Sequence, residues 1–330
     1  MKYIVLFAAL LFTTVIGAVE LKQGDYKNRP EVNAFIERMA SDSDYTEQEL
    51  VDLFSRVKKQ SHLFELLDKP AEKELQWYQY RRIFIKDKRI EQGVAFWREN
   101  RDLLTEVSLK TGVPGEIIIA IIGVETFYGT YEGKDPVFDS LVTLAFDYPK
   151  RSAFFSRELE QLLLLAKEQN LDPGSLRGSY AGAMGMPQFI ASSYRSYAVD
   201  FDGDGQANLF DSIPDIFASV ANYFVKHGWR TNEPVAGPLT ALEKNTIDQL
   251  NPGVKTSYKW SDLTQNGFHS KTELDPDTAV ALVKLELKTA PEYWVGLQNF
   301  YVITRYNHSE MYAMAVYQLS LLIKDRMRQG

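Results

Sequence analysis

Cysteine is the residue that this chain of 330 residues lacks altogether. Its absence excludes disulfide bridges, thiol catalysis and lipid attachment through an N-terminal cysteine. Histidine is scarce, with four in the chain, and no two of them have the spacing of a zinc-binding pair. The net charge of −7 argues against a general nucleic-acid binder, because neutralising phosphates requires a basic surface.

Long apolar runs are also rare, and the clearest one lies at the start of the chain. Lys2 precedes an apolar run from Tyr3 to Ile16, and Gly17-Ala18 then offers small residues for cleavage. This pattern predicts a secretory signal peptide over residues 1–18. The run is slightly short for a span of about 20 residues, and an uncleaved membrane anchor is the alternative. We expect an exported, soluble protein.

The rest of the chain has a globular composition, 45% hydrophobic and 25% charged, and is long enough for two or three subdomains. We predict a mainly α fold in four parts. These are an N-terminal helical subdomain (19–110), a helical core that holds the motifs (111–230), a small β-containing insertion rich in proline and glycine (231–290), and C-terminal helices that complete the core (291–330).

Three local patterns predict helices. Thr46 with Glu49 forms a capping box before an apolar run. A long helix is expected from about residue 90 to residue 110, ended by Gly112. Residues 117–125 are apolar on every face, which predicts a helix buried all round, with a β-strand as the alternative for this isoleucine-rich run.

Residues 200 to 211 follow the pattern of an EF-hand type calcium loop. Gly205 lies where such a loop turns sharply, and Gln206 can offer its backbone carbonyl. The oxygen-bearing side chains at ligand positions are those of Asp200, Asp202, Asp204, Asn208 and Asp211. Because Asp211 is shorter than the usual glutamate and the loop is single, we predict a structural Ca²⁺ and not a calcium switch. A solvated acidic turn is the alternative.

Glu125 is the candidate for catalysis. It closes the apolar helix, and Thr126-Phe127-Tyr128-Gly129 follows it. A carboxylate delivered by a buried helix into aromatic surroundings is desolvated, which favours its protonated form and suits a proton donor. The alternative is a glutamate at a helix end that points into solvent.

A second candidate site is the glycine-rich segment at residues 178–190. Its glycines allow a ligand to approach the backbone closely, and Ser179 and Gln188 can bind neutral groups such as sugar hydroxyls and amides. Ser179 lacks the spacing of a nucleophile elbow. No phosphate loop fits, because lysine is absent at the required place.

Five motifs, in this order, resemble the membrane-bound lytic murein transglycosylase B family of bacterial peptidoglycan enzymes, and the match runs roughly from residue 75 to 325. The resemblance implies a lysozyme-like helical core in a periplasmic enzyme. It also implies cleavage of the bond between N-acetylmuramic acid and N-acetylglucosamine, leaving a 1,6-anhydromuramic end. The motifs are Glu125-Thr-Phe-Tyr-Gly, Ser179-Tyr-Ala-Gly-Ala-Met-Gly-Met-Pro-Gln-Phe, the loop from Asp200, Ala221-Asn-Tyr-Phe with His227-Gly-Trp, and Thr304-Arg-Tyr-Asn-His-Ser-Glu-Met-Tyr-Ala.

The same resemblance implies roles for single residues and partners. Glu125 is the acid and then the base, and Ser179 and Gln188 lie beside the scissile sugar. Further implied substrate contacts are Tyr80 and Tyr223 on sugar rings, Lys150 and Arg151 on peptide carboxylates, and Tyr306, Asn307 and Tyr312 along the cleft. Core packing is the alternative for each tyrosine, and a solvated surface for Lys150 and Arg151. The implied partner is a peptidoglycan glycan strand, bound by a monomer.

No second carboxylate stands out near Glu125. Ordinary glycosidases pair two carboxyl groups about 5–9.5 Å apart, whereas a sugar's own hydroxyl, held close, needs no carboxylate to activate water. Asp135, Asp139 and Asp147 are candidates by sequence proximity alone. A muramidase-type hydrolase and a non-catalytic, calcium-stabilised sugar-binding protein are the alternative functions.

Overall fold

The computed structural model describes residues 19–68, 75–241 and 250–329. The chain divides between Lys59 and Gln60 into two compact units. The expected signal peptide at residues 1–18 lies outside the described residues. The four-part division proposed from composition likewise stays a prediction.

From residue 19 to residue 59, the first unit contains two helices, α1 (Pro30–Asp42) and α2 (Glu47–Ser55). The predicted capping box of α2 is confirmed. Thr46 Oγ1 accepts the Glu49 N–H at 3.2 Å, and Glu49 Oε2 accepts the Thr46 N–H at 2.7 Å. These two bonds satisfy donors that the first turn of a helix leaves without partners.

The second unit begins with α3 (Leu63–Asp68), α4 (Trp77–Phe84), α5 (Asp87–Glu99) and α6 (Arg101–Thr111). The prediction of one helix over residues 90–110 is wrong, because the chain breaks at Asn100. Asn100 is non-helical, with φ −112° and ψ 25°, and its Nδ2 donates to the Phe96 carbonyl at 2.9 Å. The asparagine side chain competes with the helical hydrogen bonds and so ends α5.

Helix α7 (Gly115–Thr126) is buried on every side, as predicted. Apart from Glu116 and Glu125, its residues are all buried. Gly112, in the left-handed conformation, separates α6 from α7. Because α7 is packed on every side, its neighbours fix the direction of the helix and so the position of Glu125 near its C-terminal end.

Four further helices follow: α8 (Val137–Asp147), α9 (Ser152–Glu168), α10 (Ala191–Tyr197) and α11 (Ile213–Lys226). A 3₁₀ turn at Pro149–Arg151 joins α8 to α9. Two short antiparallel strands, β1 (Asp135–Pro136) and β2 (Arg177–Gly178), pair before the glycine-rich segment. The pairing with Asp135 fixes the position of Gly178, the first residue of the glycine-rich segment.

A five-stranded antiparallel sheet forms the predicted β-containing part. Its strands are β3 (Ala236–Ala241), β4 (Tyr258–Lys259), β5 (Phe268–Ser270), β6 (Ala279–Leu285) and β7 (Glu292–Gly296), in the order β4-β6-β7-β3-β5. Helix α12 (Trp260–Gln265) packs on the sheet. Trp260, Leu263 and Phe268 contribute to a hydrophobic cluster of this part's own.

Two helices end the chain, α13 (Gln298–Tyr306) and α14 (Glu310–Gln329). Helix α14 packs against α7, α5 and α13, so the last helices complete the core around α7. Within the described ranges, no single helix is long and apolar enough to cross a membrane. One bent pair, Arg101–Thr111 with Gly115–Thr126, passes by length and composition. The fold is mainly α with a small sheet, as predicted.

Candidate active site

The C-terminal end of α7 opens into a cleft of about 720 Å³. Glu125 lies in its wall, together with the glycine-rich segment and the turn between α13 and α14. The described lining residues are Leu66, Glu125, Arg151, Phe154, Phe155, Ser179, Tyr180, Ala181, Ala183, Gln188, Ile190, Tyr306, Asn307 and His308. The structure thus brings together motifs that lie far apart in the sequence.

The turn after Glu125 has an unusual backbone. Phe127, Tyr128 and Gly129 follow one another in the left-handed region, with φ of 52°, 59° and 78°. Such a conformation is unfavourable for aromatic residues and persists only where the surroundings impose it. The Tyr128 hydroxyl donates to the Arg89 carbonyl at 2.9 Å. A β-carbon at Gly123 would lie 2.6 Å from that hydroxyl oxygen, so glycine is needed to seat the ring.

Tyr312, on α14, donates a hydrogen bond from its hydroxyl to Glu125 Oε1. Tyr312 is buried, while Glu125 is half-buried. Burial, reinforced by the nearby negative charge of Glu125, raises the pKa of Tyr312 well above its usual value. The phenol therefore stays protonated and donates to Glu125 Oε1.

Aromatic rings form the wall next to this pair. The rings of Tyr306 and Tyr312 stack with an interplanar angle of 10° and centroids 6.4 Å apart. The ring centroids of Tyr306 and Tyr223 lie 4.9 Å apart, and Tyr223 stacks on His227 with centroids 4.0 Å apart. Tyr223 is buried, and its hydroxyl donates to the Arg305 carbonyl. Tyr223 therefore packs against Tyr306 of the wall.

Ser179 and Gln188 both line the cleft, but part of their bonding capacity is already used. Ser179 Oγ accepts the Ala183 N–H at 3.0 Å, which closes the turn between them. Gln188 Nε2 donates to the carbonyls of Glu132 and Gly185, each at 2.9 Å. The hydroxyl proton of Ser179 and the carbonyl oxygen of Gln188 are the groups suited to a ligand.

Four residues expected at the site are not among the described lining residues of the cleft: Tyr80, Lys150, Tyr223 and Tyr312. Tyr80 is fully buried between Trp77 and Phe84. Lys150 pairs with Asp68, with Nζ and Oδ1 2.6 Å apart. Arg151 does line the cleft, and its guanidinium carbon lies 4.3 Å from the centroid of Phe154.

The three aspartates considered as a second acid lie elsewhere. Asp135, Asp139 and Asp147 are not among the cleft residues. Asp135 faces His62 instead, with Oδ1 and Nε2 3.7 Å apart. Among the described residues that line the cleft, Glu125 is the one carboxylate.

Eight of the lining residues had not been predicted individually: Leu66, Phe154, Phe155, Tyr180, Ala181, Ala183, Ile190 and His308. Apart from Leu66, each lies within four residues of one that had been. Phe154 and Phe155 lie on the first turn of α9, directly after Arg151. Their helical spacing from Arg151 was the signal that could have identified these two phenylalanines.

The acidic loop gathers three of its aspartates. Ligand oxygens of Asp200, Asp202 and Asp204 lie within 4.8 Å of one another, and all three side chains are exposed. Asp211, predicted as a fourth ligand, is not in this group and lies beside a second cavity. Gly203 and Gly205 supply the left-handed turns, with φ of 78° and 94°. Carboxylate oxygens this close together suit a hard cation such as Ca²⁺.

Another cavity of about 710 Å³ lies at the opposite, N-terminal end of α7. Two carboxylates line this cavity, and each is paired with a basic side chain. Glu116 Oε1 lies 2.5 Å from Lys324 Nζ, and Glu233 Oε2 lies 3.4 Å from Arg230 Nη1. Chemistry, and not size, therefore identifies the Glu125 cleft as the candidate active site.

Comparison with known proteins identifies the family of the chain. Residues 27–321 match the family described as the transglycosylase SLT domain. The chain is 42% identical over 305 residues to membrane-bound lytic murein transglycosylase B of Escherichia coli, covering 90% of this chain and 83% of that protein.

Solved structures give the same result. Soluble lytic transglycosylase SltB1 from Pseudomonas aeruginosa is 46% identical, with a TM-score of 0.86 over 91% of this chain and 100% of that one. Escherichia coli lytic transglycosylase Slt35, solved in complex with calcium, is 40% identical, with a TM-score of 0.86 over 94% of this chain and 100% of that one. The chain belongs to the SLT-domain family of lytic murein transglycosylases, lysozyme-like enzymes that cleave peptidoglycan.

Proposed function

We propose that the chain cleaves the β-1,4 bond between N-acetylmuramic acid and N-acetylglucosamine and leaves a 1,6-anhydromuramic end, with Glu125 as acid and then base. The observation that carries this proposal is the single described carboxylate in an aromatic cleft. A hydrolase of the ordinary kind needs a second carboxyl group to activate water or to attack the sugar.

The reaction needs two proton transfers. Protonated Glu125 gives its proton to the glycosidic oxygen as the bond from that oxygen to the muramic C1 breaks. The resulting carboxylate then takes the proton of the muramic 6-hydroxyl, whose oxygen bonds to C1. No water is added, and the enzyme returns to its starting state. The hydroxyl and C1 belong to one sugar, so attack benefits from a high effective molarity.

Residues around Glu125 supply orientation. Hydrogen bonds to the backbone of Ala183 and of Glu132 hold the side chains of Ser179 and Gln188, respectively. We propose that Ser179 then offers its hydroxyl proton, and Gln188 its amide oxygen, to the sugar. Tyr306 and Asn307 line the same wall, and we propose that they contact the sugar at the cleavage point. Arg151 is the basic residue that we assign to a peptide carboxylate.

The role of Glu125 is tested by Glu125→Gln, with Glu116→Gln as the matched control on the same helix. The amide is nearly isosteric but is not an acid. Loss of general acid–base catalysis is typically about 10²–10⁴-fold, and we expect at least that loss of peptidoglycan turnover. The control should keep near-normal activity. Near-normal turnover by Glu125→Gln would move the catalytic role to another residue.

The acidic loop is proposed to hold Ca²⁺ as a structural ion, with Asp200, Asp202 and Asp204 as carboxylate ligands. The clustering of their oxygens supports it, and so does the related Slt35, which was solved with calcium. Gln206, through its carbonyl, and Asp211 are proposed as further ligands.

We also propose export to the periplasm by the segment at residues 1–18, and action as a monomer. N-terminal sequencing and sedimentation of the exported protein would contradict these two points if Met1 were intact or a dimer formed.

A further inference from the structure

A short chain of hydrogen bonds links the backbone beside Glu125 to the acidic loop. The Thr126 hydroxyl lies 2.9 Å from the Met186 carbonyl oxygen and donates to it. The Met186 N–H then donates to the Leu209 carbonyl at 2.9 Å. Leu209 lies inside the loop at residues 200–211. Two hydrogen bonds therefore join that loop to the residue after Glu125.

The Thr126 hydroxyl makes a second hydrogen bond, to the turn that follows α7. The hydroxyl accepts the Gly129 N–H at 3.0 Å, which secures the left-handed turn after α7. The Ile122 carbonyl lies farther from the hydroxyl, at 3.3 Å, so the single proton favours Met186. Thr126 itself is 1% exposed. Removing the hydroxyl would take this hydrogen-bond partner from the buried Met186 carbonyl and from the Gly129 N–H, and an unsatisfied buried group is costly.

At the acidic loop, where this chain of hydrogen bonds ends, the buried side chain of Asp215 holds the backbone. Asp215, which is fully buried, accepts the N–H of Phe201 at 2.7 Å and of Asn208 at 2.8 Å. These two residues lie near the two ends of the loop, and Asn208 directly precedes Leu209. Asp215 therefore ties Asn208, and with it the neighbouring Leu209, to the start of the acidic loop.

We propose that Thr126 is a positioning residue for Glu125, and that it transmits the conformation of the acidic loop to the catalytic cleft. A divalent cation in the loop then tightens the turn that orients the acid. This inference rests on the proposed role of Glu125. Orientation matters because a displacement of about 1 Å can lower a rate by about 10²-fold.

The first test compares Thr126→Val, which removes the hydroxyl from a side chain of similar shape, with Thr126→Ser, which keeps it. We expect Thr126→Val to lower kcat per folded molecule about 10- to 100-fold with little change in KM, as lost orientation does. Thr126→Ser should be near wild type. A lower Tm with unchanged kcat would make Thr126 merely structural and overturn the proposal.

The second test measures amide hydrogen exchange in the full chain with calcium chloride and with a chelator. Calcium should slow exchange at residues 200–211 in the wild type and in both variants. At residues 126–133 it should slow exchange in the wild type and in Thr126→Ser, but not in Thr126→Val. Unchanged exchange at 126–133 in the wild type, or equal protection in Thr126→Val, would overturn the coupling. Activity of Glu125→Gln separately decides the proposed function.

Discussion

Glu125 owes its orientation to contacts with individual side chains, and Tyr312 makes the most direct one. The Tyr312 hydroxyl donates to Glu125 Oε1 from a buried position on α14. Hydrogen bonds contribute about 0.5–1.5 kcal/mol between neutral groups and about 1.5–3 kcal/mol to a charged group. The contact can therefore hold Glu125 in one rotamer both as the acid, with its proton on Oε2, and as the carboxylate that forms after proton transfer.

Replacing Tyr312 by phenylalanine tests that contact. We expect kcat to fall roughly 10- to 100-fold, because 1.4 kcal/mol corresponds to about tenfold in rate. Tm should change little, since the stacked ring remains. Tyr317→Phe is the matched control on the same helix, because its hydroxyl bonds the Ala236 carbonyl. Equal activity of the Tyr312 variant and wild type would remove Tyr312 from the orientation of Glu125.

His227 should make stability depend on pH. Burial lowers the pKa of His227 below its ordinary value of 6.5, and the nearby positive groups Arg305 and His308 act in the same direction. The unfolded chain then binds the proton more readily than the folded one. Stability from this group is therefore present above about pH 6.5 and is lost as the pH falls through the lowered value.

The measurement compares Tm of the wild type and of His227→Gln across about pH 5 to 8, the range in which histidine charge changes. We expect the advantage of the wild type to be largest near pH 8 and to shrink toward pH 5. Glutamine does not titrate, so other groups cancel in the difference. A gap that stays constant with pH would contradict a buried, neutral His227.

Secondary structure elements differ in how far the sequence alone could predict them. The sequence predicted α7 because every face of residues 117–125 is apolar, and such a segment must be buried. It did not predict the break at Asn100, because the flanking apolar spacing continues through it. The side-chain bond to the Phe96 carbonyl that ends α5 is a three-dimensional fact.

The residues of the candidate site also differ in how far the sequence alone could predict them. Motif order identified Glu125, Ser179 and Gln188, whereas burial of Tyr80 and the pairing of Lys150 with Asp68 depend on neighbours distant in sequence. The left-handed turn after Glu125 was also beyond prediction, because Phe127 and Tyr128 do not favour it on their own. A tertiary bond from the Tyr128 hydroxyl to the Arg89 carbonyl and a local bond from the Gly129 N–H to the Thr126 hydroxyl hold this turn in place.

The acidic loop should act as a stabilising element when it holds calcium. Its clustered carboxylates repel one another without a cation, so Ca²⁺ binds the folded state in preference. At a hundredfold excess over Kd, binding contributes about 2.7 kcal/mol, which raises Tm by several degrees. Asp200→Ala should lower stability and abolish the calcium response. Identical melting curves of the wild type in calcium and in chelator would contradict the proposed site.

At the scale of the whole molecule, one cleft collects residues from across the chain. Glu125 comes from α7, Ser179 and Gln188 from the glycine-rich segment, and Tyr306 and Asn307 from the end of α13. The five-stranded sheet lies between α11 and α13 in sequence and has its own cluster of buried residues. The end of α13 therefore completes the wall of a cleft begun nearly 200 residues earlier, at Glu125.

The central claim is that one carboxylate in this cleft directs the muramic 6-hydroxyl, and not water, onto the anomeric carbon. Mass spectrometry of fragments released from purified peptidoglycan tests it most directly, with a reducing-end assay alongside. The account predicts fragments that end in 1,6-anhydromuramic acid, lighter by one water and without a reducing end. Predominantly hydrated, reducible muramic ends would contradict it and make the chain a lysozyme-type hydrolase.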